Sequence, residues 1–270
     1  MVTASHNPKD DNGYKVYWDA GSQIVSPHDA LITEEIGRNL ERWHGVTDAL
    51  VSNDNPLLHD PTEQLANAYY EASVRQCSFT KELNSSFDLT ITFTPMHGVG
   101  QPWAERVFHE FGLKPFVSVP LQRDPDPDFP TVPFPNPEEG KGALKLAMDA
   151  ADAAGSPVII ANDPDADRLA AAEKQPSGER KVFTGNEIGI LFADWVWSNF
   201  HRLHPTVEPA KCAVLNSTVS SKFLKALAEK EGLHYQVCLS LCNNSLYRQL
   251  IRRHLIRCCI GNLDWLQVVG

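Results

Sequence analysis

Two short segments hold side chains that could manage a phosphoryl group and a hard cation. Thr3-Ala-Ser-His-Asn-Pro-Lys9 sets a hydroxyl beside an imidazole, an amide and an ammonium within one turn-prone stretch. Such a set could hold a phosphate. An ordinary polar turn, with Ser5 bonded to the local backbone, accounts for the heptapeptide equally well. The second segment, Asn162-Asp-Pro-Asp-Ala-Asp-Arg168, offers three carboxylates at alternate positions. They repel one another unless something offsets their charge, and a divalent cation with oxygen ligands does so. Magnesium is the natural choice. Counted as a calcium-binding EF-hand loop from Asp163, the stretch has Arg168 where glycine is needed and Lys174 where glutamate is needed, so that reading fails. A solvated acidic turn is the remaining plain alternative. Asp124-Pro-Asp-Pro-Asp128 looks alike, but its prolines sit in a long loop with no apolar strand before it, and it reads as solvated.

The elements around these segments should position them. Val158-Ile-Ile-Ala161 is a short apolar run directly before Asn162, the pattern of a buried central strand, and α/β sheets gather ligands at strand C-terminal ends. Upstream, Gly13 to Ile24 alternates weakly and is bounded by Asn12-Gly13 and Ala20-Gly21, suggesting a short hairpin. Ile32, Ile36 and Leu40 suit a helix over Leu31 to Trp43, and residues 45–62 read as loop. Leu89, Ile91 and Phe93 predict a strand, followed by a helix from Trp103 to Phe111 that ends at Gly112. The proline-rich, acidic stretch from Pro120 to Gly140 predicts an exposed, partly extended loop without regular elements. Helices are expected over Leu144 to Ala154, Asn186 to Phe200 and Ser220 to Glu231, with a strand at Cys212 to Leu215. Strand and helix alternate, which implies an α/β layer fold.

At 270 residues, the chain has room for two domains, or one whole and two partial ones. A formal charge of −10 opposes general nucleic-acid binding. No apolar run approaches a bilayer span and the opening lacks a signal core, so the expected setting is cytoplasmic with no membrane partner. Four of the six cysteines (Cys238, Cys242, Cys258, Cys259) fall in the last 33 residues, beside Arg248, Arg252, Arg253 and Arg257, a break in composition. Cys238, Cys242, His254 and Cys258 have loose zinc-finger spacing, but the intervening residues lack a finger's hydrophobic pattern.

Taken together, Thr-Ala-Ser-His-Asn-Pro-Lys followed by Asp11-Asn-Gly-Tyr-Lys15, with the Asp163–Arg168 loop on an apolar strand, resembles the α-D-phosphohexomutases. Tyr14 to Asp29, Thr94-Pro-Met-His-Gly-Val-Gly100 and the stretch from Phe129 to Leu144 extend the likeness to the phosphoglucomutase and phosphopentomutase branch that includes glucose-1,6-bisphosphate synthase. The resemblance implies Rossmann-like α/β/α layers, with one nearly complete domain flanked by two partial ones. It implies that Ser5 carries the transferable phosphoryl group and that Asp163, Asp165 and Asp167 bind Mg2+, which also touches the Ser5 phosphate. His6 and Lys15 become candidates for proton handling and Arg168 for clamping phosphate. His97 lies outside the implied site, as a local hydrogen-bonding residue.

The implied activity is phosphoryl transfer between the 1- and 6-positions of a hexose phosphate, or the 1- and 5-positions of a pentose phosphate, through a sugar bisphosphate. Glucose 1-phosphate, ribose 1-phosphate and deoxyribose 1-phosphate are the implied substrates. The alternatives are a glucose-1,6-bisphosphate synthase, or an inactive fragment that keeps the magnesium and phosphosugar site. By the same likeness, residues 1–75 form the C-terminal part of a phosphoserine domain, 76–185 a magnesium-binding domain, and 186–236 the start of a sugar-binding domain. Residues 237–270 form a divergent tail, and the family's sugar-reading and distal phosphate loops are not found in the sequence.

Overall fold

Branched and aromatic side chains around residue 92 and residue 159 favour extended backbone, and they build the middle of the larger sheet. In the computed structural model, which describes residues 1–11, 13–19, 21, 23–41, 55–139 and 142–238, that sheet has five strands. They are β1 (Ile91–Thr94), β2 (Val117–Ser118), β3 (Val158–Ala161), β4 (Ala170–Lys174) and β5 (Arg180–Val182), in the order β2-β1-β3-β4-β5. β1 runs parallel to both β2 and β3, with Thr94 opposite Ala161. β4 and β5 then add antiparallel, with Ala161 opposite Ala170. The two parallel inner strands therefore end side by side, and their following loops, 95–100 and 162–169, emerge at the same end of the strands.

Seven helices are described: α1 (His28–Arg38), α2 (Thr62–Cys77), α3 (Lys81–Ser86), α4 (Gln101–Glu110), α5 (Lys145–Ala153), α6 (Gly185–Leu203) and α7 (Phe223–Glu231). The alanines of α5, Ala147 and Ala151, let its backbone come close to β1 and β3, and they pack with Leu144, Ile159 and Ala172 in a core closed to solvent. Full burial of Ile159 or Leu144 contributes about 1.5–3 kcal/mol each. A second core joins Val196, Trp197 and Phe200 of α6 to Leu224 and Leu227 of α7 and to Val214 of β6 (Ala213–Ser217). β6 pairs in parallel with β7 (His234–Cys238). α6 opens on a capping box, in which the Thr184 hydroxyl accepts from the Glu187 N–H and the Glu187 carboxylate accepts from the Thr184 N–H.

The chain separates into two compact units, one of residues 1–3 and 13–72, the other of residues 4–12 and the chain from Ser73 onward. The first holds α1 and the isolated antiparallel bridges Val2–Tyr14 and Tyr17–Gln23, which stand where a hairpin was expected. The second holds both sheets and the segment bearing Ser5.

The α/β layer class expected from the alternation is the fold observed. Differences lie in the detail. The stretch from Pro120 onward is neither fully exposed nor irregular: it has single 3-10 turns at Pro120–Gln122 and Pro137–Glu139, and it buries Gln122 and Val132. Proline at the first position of such a turn loses no hydrogen bond, which is why proline density did not forbid them. α7 starts three residues later than expected, at Phe223. The helix expected over Leu31 to Trp43 runs instead from His28 to Arg38, ended by Asn39, whose side-chain amide donates to the Glu35 carbonyl, and residues 39–41 are not helical. Trp43, part of the 45–62 loop, and the readings of Cys242, His254 and Cys258 lie outside the described residues. Among the described residues, no helix is long and apolar enough to cross a membrane.

Candidate active site

Three loops of the second unit converge, and their backbones are held in unusual conformations to do so. Ser5, Met96, His97, Phe129 and Ala166 all have positive φ, between 44° and 64°. For residues with a Cβ this conformation is disfavoured and persists only where the surroundings over-determine it. Each of the five lies in one of these loops or in the 120–139 segment beside them.

The loop after β3 is braced from within. The Asp163 carboxylate accepts the Arg168 N–H at 2.9 Å, the Asp163 carbonyl accepts the Ala166 N–H at 2.9 Å, and the Asn162 amide donates to the Arg168 carbonyl at 2.5 Å. It is also braced by the neighbouring loop. The Asn162 N–H donates to the Thr94 carbonyl, and the Val99 N–H donates to the Pro164 carbonyl at 2.9 Å. Between those bonds the two backbones touch at Gly98, where an added Cβ would lie 2.2 Å from the Pro164 Cα.

Asp163, Asp165 and Asp167 consequently point one carboxylate oxygen each into a common space, the three lying within 4.8 Å of one another. Asp163 is closed to solvent. Its burial, with the bond to Asp165 and the charges of Asp165 and Asp167 adding, raises its pKa from 3.8 to about 7, against which the Arg168 N–H acts. The Arg168 guanidinium lies 4.0 Å from Asp163 and 3.8 Å from Glu138, too far and too divided to offset that burial. An all-carboxylate set of this kind fits a hard divalent cation.

Ser5 faces this cluster. Its hydroxyl is 3.1 Å from Asp163 Oδ2, 3.4 Å from Asp165 Oδ1 and 3.2 Å from His6 Nδ1. One hydroxyl proton thus has three acceptors within reach. A phosphoryl group on Ser5 would meet the carboxylates with like charge unless a cation lay between them, so the same donor set that suits a metal also requires one if Ser5 is modified. Ser5, His6, Asp163, Asp165, Asp167 and Arg168 are therefore gathered at one place. Lys15 belongs to the first unit, where its N–H donates to the Met1 carbonyl at 2.7 Å.

Sequence reasoning did not single out Gly98, Gln122 or Glu138. Only the conjunction of a glycine in one loop with a proline in another marks Gly98, and that pairing is invisible along the chain. His97 was expected to serve a local hydrogen bond. It is buried and bonds to the Thr131 hydroxyl at 2.7 Å, 34 residues away. Burial lowers its pKa below 6.5, while Asp126 pulls the other way. The unfolded imidazole takes up a proton below about pH 6.5 while the folded one stays neutral, so folded stability falls as pH drops below that value. The difference in urea midpoint between the protein and His97→Gln should shrink from pH 7 to pH 5.5. A difference constant with pH would show that His97 titrates alike in both states.

Comparison with known proteins decides the lineage. Residues 1–43 match phosphoglucomutase/phosphomannomutase alpha/beta/alpha domain I, and residues 67–178 match alpha/beta/alpha domain II of the same family. The chain belongs to this family, the α-D-phosphohexomutases. It is 48% identical over 241 residues to phosphopentomutase of Homo sapiens, covering 89% of this chain and 39% of the relative. It is 46% identical over 240 residues to glucose 1,6-bisphosphate synthase of Homo sapiens, covering 88% of this chain and 38% of the relative. A phosphoglucomutase/phosphomannomutase family protein from Burkholderia thailandensis shares the fold with a TM-score of 0.61 at 20% identity, over 93% of this chain and 46% of that one. The chain thus spans about two fifths of the length of the curated relatives it matches.

Proposed function

We propose that the site performs phosphoryl transfer on phosphosugars, with Ser5 as the residue that carries the phosphoryl group and Mg2+ held by Asp163, Asp165 and Asp167. The observation that carries this reading is the Ser5 hydroxyl 3.1 Å from a buried carboxylate in a three-carboxylate cluster. Isomerisation of a sugar 1-phosphate, hexose or pentose, to its 6- or 5-phosphate is the activity that follows from family membership. Magnesium, when bound, supplies neutralisation of the charge that spreads over the phosphoryl oxygens.

The chain's own residues would do the rest. With Ser5 phosphorylated, the sugar hydroxyl attacks phosphorus as the bond to Ser5 Oγ breaks, and the sugar's proton passes to a base while Oγ receives one. His6, with Nδ1 3.2 Å from Oγ, is a neighbouring group outside the carboxylate cluster able to hold that proton. Lys15 is a second candidate, on the strength of the family pattern. Arg168 supplies a fixed positive charge 4.0 Å from Asp163, and its tie to Glu138 at 3.8 Å is loose enough to yield to a phosphate. Transfer back from the other end of the bisphosphate returns the phosphoryl group to Ser5 and frees the isomer.

Incubation with glucose 1,6-bisphosphate and Mg2+ should add one phosphate to the protein, seen by intact mass. Ser5→Ala should lose this, lowering uptake by at least about a hundredfold. Equal phosphate on the alanine variant would remove Ser5 from the reaction. The 46% identity to a glucose 1,6-bisphosphate synthase supports a second reading, in which the bisphosphate leaves as product. Release of bisphosphate in excess over isomer, measured from a sugar monophosphate and an acyl phosphate donor, would distinguish it.

A further inference from the structure

The acidic run Asp124 to Asp128, read from sequence as a solvated loop, sits on a segment that touches the Ser5 loop. Its root is a buried hydrogen-bond chain. The Met96 N–H donates to the Thr94 hydroxyl, which donates to Gln122 Oε1 at 2.8 Å, and Gln122 Nε2 donates to the Thr131 hydroxyl at 3.0 Å. That hydroxyl is also 2.7 Å from His97 Nε2. Backbone bonds run alongside, from the His97 N–H to the Gln122 carbonyl and from the Asp126 N–H to the His97 carbonyl, each 3.0 Å. Thr94, Gln122 and His97 are buried, so each partner is needed to satisfy the others. Residues 120–132 are thereby fixed to the same β1–α4 loop that braces Pro164 and the carboxylate cluster.

From this root the segment reaches the serine loop through an exposed contact, Asp128 with Lys9 at 3.0 Å. An exposed ion pair adds little to global stability. Its location gives it another use. Lys9 lies four residues after Ser5, whose φ of 56° needs outside contacts to hold it. On the Ser5 reading above, we propose that residues 120–132 act as a strap, with Asp128 a positioning residue whose grip on Lys9 sets the serine loop over the carboxylate cluster.

The test uses charge reversal at two exposed positions. Asp128→Lys should speed hydrogen exchange of the Asn7 and Asp11 amides, which are bonded within the serine loop, by about three- to fivefold. It should slow Ser5 phosphorylation by glucose 1,6-bisphosphate and Mg2+ by a similar factor. Thermal midpoint and Mn2+ affinity should stay at the parent values, because neither residue touches the cluster. The double variant Lys9→Asp/Asp128→Lys should restore both exchange and rate. Gln122→Leu, which cuts the root, should raise exchange in the serine loop further. Unchanged exchange in Asp128→Lys, or no recovery in the double variant, overturns the strap. Faster exchange and recovery with no phosphate on Ser5 in any protein would support the strap and refute the phosphoserine reading instead.

Discussion

Gly98→Ala is expected to abolish divalent-cation binding, although the residue carries no ligand. Its added Cβ would lie 2.2 Å from the Pro164 Cα and 2.4 Å from the Pro164 carbonyl oxygen. Both are backbone atoms, so no rotamer change relieves the overlap. Either the 95–100 loop or the loop that carries the three aspartates must move. The first is anchored by the buried Thr94, Met96 and His97 and by the β1–β3 ladder. The aspartate loop is bonded to it at Asn162 and Pro164, so either movement would disturb the common placement of Asp163, Asp165 and Asp167. Groups that only orient metal ligands commonly change affinity 10–100-fold, and a backbone overlap should reach at least about that. Mn2+ titration followed by electron paramagnetic resonance measures it, with circular dichroism reporting the fold. Binding within about twofold of the parent would mean that the loops slide past each other freely.

Asp163→Asn should abolish metal binding and, unlike Gly98→Ala, make the metal-free protein more stable. The folded Asp163 holds its proton to about pH 7, whereas an unfolded aspartate releases it near 3.8. Folding therefore becomes less favourable as pH rises from about 4 to 7, and the penalty is constant above. Three pH units correspond to a penalty on the order of 4 kcal/mol, shared with Asp165 and Asp167 through their mutual charge. Asparagine keeps the acceptor for the Arg168 N–H and removes the charge. The stability of the metal-free variant should then lack the decline between pH 4 and 7, as urea unfolding in chelator would show. In the parent protein a cation must displace the Asp163 proton, so affinity should climb as pH approaches 7 and level off beyond it. Calorimetry in buffers of differing ionisation heat should find proton release on binding at pH 6 and little at pH 8. Equal proton release at both would place the titrating group elsewhere.

These two residues differ in how far the sequence revealed them. Asp163 follows an apolar run whose limits, Val158 to Ala161, are those of the observed strand, because β-branching and a buried centre are local signals. The helix ends at Gly112 and Gly232 were likewise legible, since each glycine adopts the left-handed conformation that terminates a helix, with φ of 70° and 78°. β4 was not foreseen. Ala170-Ala-Ala-Glu-Lys174 is a helix-favouring composition, and it is extended because β3 offers a ladder from Val158 to Ala161. α2 was missed because its apolar face is weak, with Tyr70 its one buried residue. Gln122 reads as an ordinary polar residue among prolines until Thr94, 28 positions earlier, comes beside it. Local chemistry thus marked the groups that would react, while the contacts that hold them depend on pairings the linear order conceals.

The register of Ala161 opposite Ala170 also has a meaning for how the site comes together. The three aspartates sit in a short connection between two adjacent antiparallel strands, so the bonds within their loop close over a few residues, while the brace at Gly98 comes from earlier in the chain. Ser5 must be brought in across a separation of 158 residues. By chain statistics, closing the longer span loses about 2–3 kcal/mol more in entropy than closing the hairpin. Contacts close in sequence form faster than distant ones. Bonds within the aspartate loop therefore close at lower entropic cost than the contact with the serine that precedes it in sequence, which is the longest closure the site requires.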